Sequence, residues 1–388
     1  MDLQKRARNY GIDLLRIVSM IMIVVLHILG QGGILSSCTA RSFKYEMAWF
    51  LEIAAYCAVN CYALISGYVG VESKKYKYSN IAALWLQVVF YTVLITILFA
   101  VFMPEADIGK KVFLKAFFPV MSKQYWYFSA YFCIFFFFPV FNFVLNTMPK
   151  KQLTAFTVTA VVILSLLPTA FSVFPKIFHS DPFLTSSGYS VLWLTVLYML
   201  GGYIKKFGVL IKKLSVFLSF AVYLACIAVT WLSKFAIERL PDRSSWNLFA
   251  EKFLIKYTSP FMLLAAVALL CAFSKMNVSR LKKVIAFMSP LSFSVYIIHV
   301  HPLIWEHVIK DRFASYAEFS ATGMVFAVIF TAIGIYLVCS LADYIRSFIF
   351  KVLRIKELLS SAEKRWIKNP WNPPEGIDQP VRDACEKT

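Results

Sequence analysis

The chain has 388 residues and a net charge of +19, yet 60% of its residues are hydrophobic and only 16% are charged. A mean hydropathy of +0.67 excludes an ordinary soluble domain, which has no interior large enough for so much apolar surface. The basic excess does not point to nucleic acid, because no basic stretch is interleaved with base-stacking aromatics in a soluble segment.

Apolar runs near twenty residues recur along the sequence, so the chain reads as an all-α, polytopic integral membrane bundle. The runs predict about ten spans, near 12–30, 47–69, 81–102, 125–145, 153–174, 186–204, 214–237, 255–274, 284–305 and 320–342. Lys and Arg set their orientation. With the N-terminus inside, the inner connections collect Lys74, Lys75 and Lys77, then Lys150 and Lys151, then Lys205, Lys206, Lys212 and Lys213, and the basic C-terminal segment. Both termini are then cytoplasmic. Residues 1–350 form one membrane domain with no repeat of fixed period. Residues 351–388 form a basic helix on the inner leaflet surface and a proline-rich tail. The eight cysteines have no spacing that suggests a disulfide framework or a metal site, and Cys57 and Cys61 read as small packing residues.

The first span contains RIVSMIMIVVLH, with a polar residue at each end, Arg16 and His27. Eleven residues of α-helix turn through about 1,100°, which leaves these ends about 20° apart in azimuth and about 16.5 Å apart along the axis. A charged or titratable side chain inside a span is costly and marks a site by default. Two plainer readings stand beside that one. Arg16 can be an interfacial residue held by Asp13 at i, i+3, and His27 can make an ordinary interhelical hydrogen bond. In the second span, Glu52 lies at the depth of His27, where a carboxylate would fix the tautomer of a histidine base. It can equally reach the outer surface. Asn60, in mid-span, needs a partner across a helix interface. Lys74 and Lys77 follow at the inner end, as ordinary inner charge or as phosphate ligands. Tyr125, Trp126 and Tyr127 open the fourth span, as belt aromatics or as a surface for a sugar ring. All five histidines, His27, His179, His299, His301 and His307, are predicted on the outer side, and His299 and His301 point apart on a helix.

The residues also resemble a known family. The opening GIDLLRIVSMIMIVVLH, with ten residues between Arg16 and His27, VNCYALISGYV in span two, WYFSAYFCIFFFFPVFN in span four and SPLSFSVYIIHVHPLI in span nine are similar, in order, to the acyltransferase 3 family of bacterial membrane proteins. Spans two to four look most like members that modify exopolysaccharide or capsule. The resemblance runs from about residue 10 to 342. It implies transfer of an acyl group, usually acetyl, from cytoplasmic acetyl-CoA to a hydroxyl of a cell-surface polysaccharide or lipid-linked glycan. It implies a multi-pass protein of the bacterial cytoplasmic membrane, and the spacing of the histidines and cysteines leads to the expectation of no metal. Under that reading His27 is general base or acyl carrier, with Glu52 beside it. Arg16, Lys74 and Lys77 hold the donor's phosphates, and Trp126, Tyr127 and His299 meet the acceptor. Family members often carry two arginines where this chain has Lys74 and Lys77, which lack arginine's bidentate fork.

Two other functions stay open on the residues alone. One is a transporter of a small solute or lipid-linked sugar that uses Arg16, His27 and Glu52 as a polar relay. The other is a membrane partner protein whose polar residues only join helices. Homo-oligomerisation is open as well.

Overall fold

The structure, a computed structural model, describes residues 8–73, 76–106, 108–174, 177, 181–239, 253–367 and 370–371. Lys74, Lys75, His179 and the tail from 372 onward, all singled out above, lie outside the described residues. Among the described residues there are helices and no strand, as a chain without water around its backbone requires.

The main elements in chain order are α1 (Tyr10–Leu29), α2 (Phe43–Gly70), α3 (Tyr78–Phe102), α4 (Trp126–Phe135) and α5 (Phe138–Thr147). They continue with α6 (Lys150–Phe171), α7 (Val191–Phe207), α8 (Val216–Ile237) and α9 (Pro260–Lys275). The last are α10 (Ser279–His299), α11 (Ala321–Val352) and α12 (Ile355–Trp366). Side-chain caps begin several of them: Asn9 accepts from Ile12 N, Ser42 from Tyr45 N, Ser190 from Trp193 N and Ser320 from Gly323 N. Each cap satisfies a backbone donor that the first helical turn leaves unpaired.

The all-α membrane bundle is as expected, while helix length and composition do not by themselves establish the expected count of about ten spans. Among the described residues, seven helical runs are long and apolar enough to cross a membrane, and eight if α4 and α5 form one bent span. That pair folds by 61° where Pro139 enters the first turn of α5, so the predicted span 125–145 is not straight. The predicted spans 186–204 and 255–274 correspond to α7 and α9, of 17 and 16 residues. Apolar content located these segments, but Gly208 in the left-handed region (φ 59°) stops α7 and Ser259-Pro260 starts α9 late. The expected surface helix also begins later. α11 runs on through Asp343 to Val352, and Arg354, with φ 53°, breaks the chain before α12.

α1 is the central helix and packs against α2, α9, α10 and α11. α6 and α8 lie outside and expose side chains such as Phe156 and Phe217, as lipid-facing helices do. The second half of α2 and α7 approach closely: a Cβ on Gly67 would fall 1.8 Å from the Tyr198 carbonyl oxygen, and one on Gly201 would fall 2.1 Å from that of Leu64. Small residues allow this backbone contact, which is a main source of helix association in lipid. About two turns before Gly67, buried Asn60 donates to the Tyr257 carbonyl at 2.8 Å and accepts from Trp193 Nε1 at 3.1 Å. It meets the expectation of a partner and ties α2 to α7 and to the segment before α9. The carboxylate of Asp343, fully buried on α11, accepts from Tyr91 at 2.9 Å and pairs with Arg346 at 2.8 Å, which locks α11 to α3.

Gly67→Ala is expected to destabilise the protein by about 1–3 kcal/mol, because backbone must move to admit the methyl group. Gly109→Ala, with nothing within 4 Å of the added atom, serves as the comparison in a thermal unfolding assay in detergent. Asn60→Leu leaves two buried groups unpaired and is expected to cost about 1–2 kcal/mol in the same assay.

Candidate active site

The last turn of α1 carries His27. Met20, Ile23 and His27 fall at i, i+3 and i+7 on one face of the helix. Opposite them, Glu52, Tyr56 and Val59 make a matching stripe on α2. Both stripes line one cavity of about 440 Å³. Trp126 and Tyr127 from the start of α4, Tyr189, Tyr257, Phe293 and Tyr296 of α10, and Trp305 complete its wall. The cavity is therefore aromatic, with an imidazole and a carboxyl among its few polar groups.

The walls are positioned by buried contacts. Tyr125 donates to the Ile297 carbonyl at 3.0 Å, which sets the start of α4 against α10 and turns Trp126 and Tyr127 inward. The Trp126 ring lies nearly parallel to that of Tyr257 (6.2 Å, 20°) and beside that of Tyr189 (4.6 Å). Tyr257 is held by Asn60 and by its own N–H to Ser187 O at 3.1 Å. Gly188, at φ 103°, leaves room for it: a Cβ there would sit 2.4 Å from that of Tyr257.

His27 is half-buried. Its Nδ1 lies 2.8 Å from Nε2 of His299, and Trp305 packs edge-on against its ring at 4.7 Å. The sequence leaves Glu52 two places, beside His27 or at the outer surface. Glu52 faces the same cavity, and its Oε2 is buried with no hydrogen-bond partner. His299 is placed differently from the expectation. It is only 2% exposed, stands behind His27 rather than on the cavity wall, and its Nδ1 contacts the Val295 carbonyl one turn back on α10.

Arg16 lies one turn below Met20, about 6 Å along the axis from the deepest part of the cavity on α1. Its Nη1 donates to Asp13 at 2.9 Å and to Ser289 at 3.2 Å. Asp13 is also paired with Arg8. Nε and Nη2 of Arg16 make no hydrogen bond among the described residues, and the side chain is 29% exposed. So the Asp13 pair is real, and most of the guanidinium fork stays open. Tyr62 stands between the two levels: its ring lines the cavity and its hydroxyl donates to the Arg16 carbonyl at 2.9 Å. Lys77 is exposed at the start of α3 and away from the cavity wall.

The structure thus brings His27, Glu52, Trp126 and Tyr127 together, with His299 directly behind. Sequence reasoning missed Tyr56, Tyr62, Tyr189, Tyr257, Tyr296 and Trp305. Tyr56 had a signal, its i, i+4 spacing from Glu52. The others look like any interfacial aromatic in sequence.

In chemical terms the site offers an imidazole with one ring nitrogen unused, a carboxyl with an unused oxygen, flat apolar walls and a cationic fork just below. A model of the acyltransferase 3 family, an acyltransferase domain, matches residues 9–343. No curated protein and no solved structure matches the chain. The matched region contains every residue of the cavity, and on that coverage the chain, a multi-pass membrane protein, belongs to the acyltransferase 3 family.

Proposed function

We propose that the protein moves an acetyl group from acetyl-CoA, bound from the cytoplasmic side of a bacterial cytoplasmic membrane, to a hydroxyl of an exported polysaccharide or lipid-linked glycan on the other side. The observation that carries this reading is the cavity itself. It follows α1 from His27 down to Met20, one turn short of the open guanidinium of Arg16.

A pantetheine arm is long and thin, so a donor whose phosphates pair with Arg16 can lay its thioester beside His27. Arginine suits the task because its planar fork meets phosphate with two parallel hydrogen bonds. The acceptor sugar stacks on Trp126 and Tyr127, and Glu52 takes a hydrogen bond from one of its hydroxyls. His27 removes the proton of the reacting hydroxyl, whose oxygen attacks the thioester carbonyl. The C–O bond forms, the C–S bond breaks, and the proton on His27 passes to the departing thiolate. The products are an ester and free CoA thiol, and His27 returns to its starting state. Because the base lies at the far end of the cavity from Arg16, neither the sugar nor the nucleotide has to cross the bilayer.

In purified protein in lipid, supplied with acetyl-CoA and a glycan acceptor, His27→Ala is expected to lower the rate of CoA release by about 10²–10⁴-fold and to leave CoA binding unchanged. Arg16→Ala is expected to weaken CoA binding, and Arg16→Lys to restore it in part. Trp126→Ala should raise the KM for the acceptor several-fold with little effect on the KM for acetyl-CoA. A His27→Ala protein that turns over at the wild-type rate contradicts the reading, as does an Arg16→Ala protein that binds CoA normally.

A further inference from the structure

We propose that His299 is a positioning residue that fixes the tautomer of His27, so that the nitrogen presented to substrate is Nε2. The inference rests on the acyl-transfer reading for its consequence, and on the hydrogen-bond network for its content.

The network runs in one direction. A carbonyl oxygen can only accept, so the contact between His299 Nδ1 and the Val295 carbonyl places a hydrogen on Nδ1. In the neutral imidazole the other nitrogen, Nε2, is then an acceptor. His27 Nδ1, 2.8 Å away, must be the donor and carries the hydrogen. That leaves the lone pair of His27 on Nε2. The ring lines the cavity, and among the described residues Nε2 has no hydrogen-bond partner. His299 is not on the cavity wall and is buried, so it acts through His27 and not on the substrate. Trp305, edge-on to the ring at 4.7 Å, limits its rotation.

The arrangement does with two imidazoles what a histidine–carboxylate pair does elsewhere: a second group holds the base in one tautomer and one orientation. When His27 takes the acceptor's proton on Nε2, the hydrogen on Nδ1 stays in its bond to His299. The proton on Nε2 then leaves to the thiolate. His299 itself gains and loses nothing. Glu52, one candidate in the sequence for this work, remains free to meet the acceptor.

Two substitutions separate the role from mere packing. His299→Gln keeps a carbonyl oxygen within reach of the position of Nε2, and so keeps an acceptor for His27 Nδ1. His299→Leu keeps bulk and removes the acceptor. The full-length protein in lipid bilayers, labelled with ¹⁵N-histidine, reports the tautomer by solid-state NMR, with the His27 signals assigned by their loss in His27→Ala. Wild type and His299→Gln are expected to show protonated Nδ1 and unprotonated Nε2 at His27. His299→Leu is expected to show the opposite tautomer in addition. The kcat for CoA release should fall by about tenfold or more in His299→Leu, with the KM for acetyl-CoA unchanged, and His299→Gln should recover most of the loss. A single wild-type tautomer in His299→Leu overturns the proposal, as does a His299→Gln protein no better than His299→Leu. Failure of the acyl-transfer reading looks different: His27→Ala would turn over normally while the tautomer of His27 still followed the residue at 299.

Discussion

A polar side chain inside a membrane bundle must find a partner, because neither lipid nor backbone will supply one. The structure meets this constraint at many positions around the site, and some of the groups that leave it unmet face the cavity. Asn60 uses both ends of its amide, Asp343 is surrounded by donors, and His299 uses both ring nitrogens. By contrast, His27 leaves one nitrogen unused, Glu52 leaves one oxygen without a partner, and Arg16 leaves part of its fork open. The first two face one cavity and the third lies a turn below it. The paired groups hold the helices in place, and the open groups at the cavity are free to meet a ligand.

That division explains why α1 is central. A single rigid helix fixes the separation of Arg16 and His27, and four other helices pack against it. The close contact of α2 with α7 at Gly67 and Gly201 then presents the Glu52 stripe, while Tyr125 and Asn60 set the aromatic walls. A donor with its charge at one end and its reactive bond at the other matches that layout. The acceptor needs only a flat face and hydroxyls.

How much of this was legible depends on the range of the interaction. The shared face of Arg16 and His27 follows from 3.6 residues per turn alone. The inward placement of Glu52, Trp126 and Tyr127 was open in sequence, because a belt aromatic and a wall aromatic have the same composition and near-identical depth. The lengths of the helices were less legible, since hydropathy sees apolar residues but not the cap at Ser190, the left-handed Gly208 or the break at Pro139 that limit each helix. The partner of His27 was the least legible feature. His299 lies 272 residues away, and only packing of α10 against α1 decides that it, and not Glu52, meets Nδ1. Tyr189 and Tyr257 come from connections between helices, where no periodicity marks a wall.

The most direct test of the account is a sided one. Acetyl-CoA labelled in the acetyl group is sealed inside vesicles that contain the protein, and glycan acceptors are supplied only outside. Labelled ester on the outer glycan is expected with the wild-type protein, with free CoA retained inside and no label outside with His27→Ala. Label that reaches the glycan only after the vesicles are opened, so that donor and acceptor meet on one side, would contradict it.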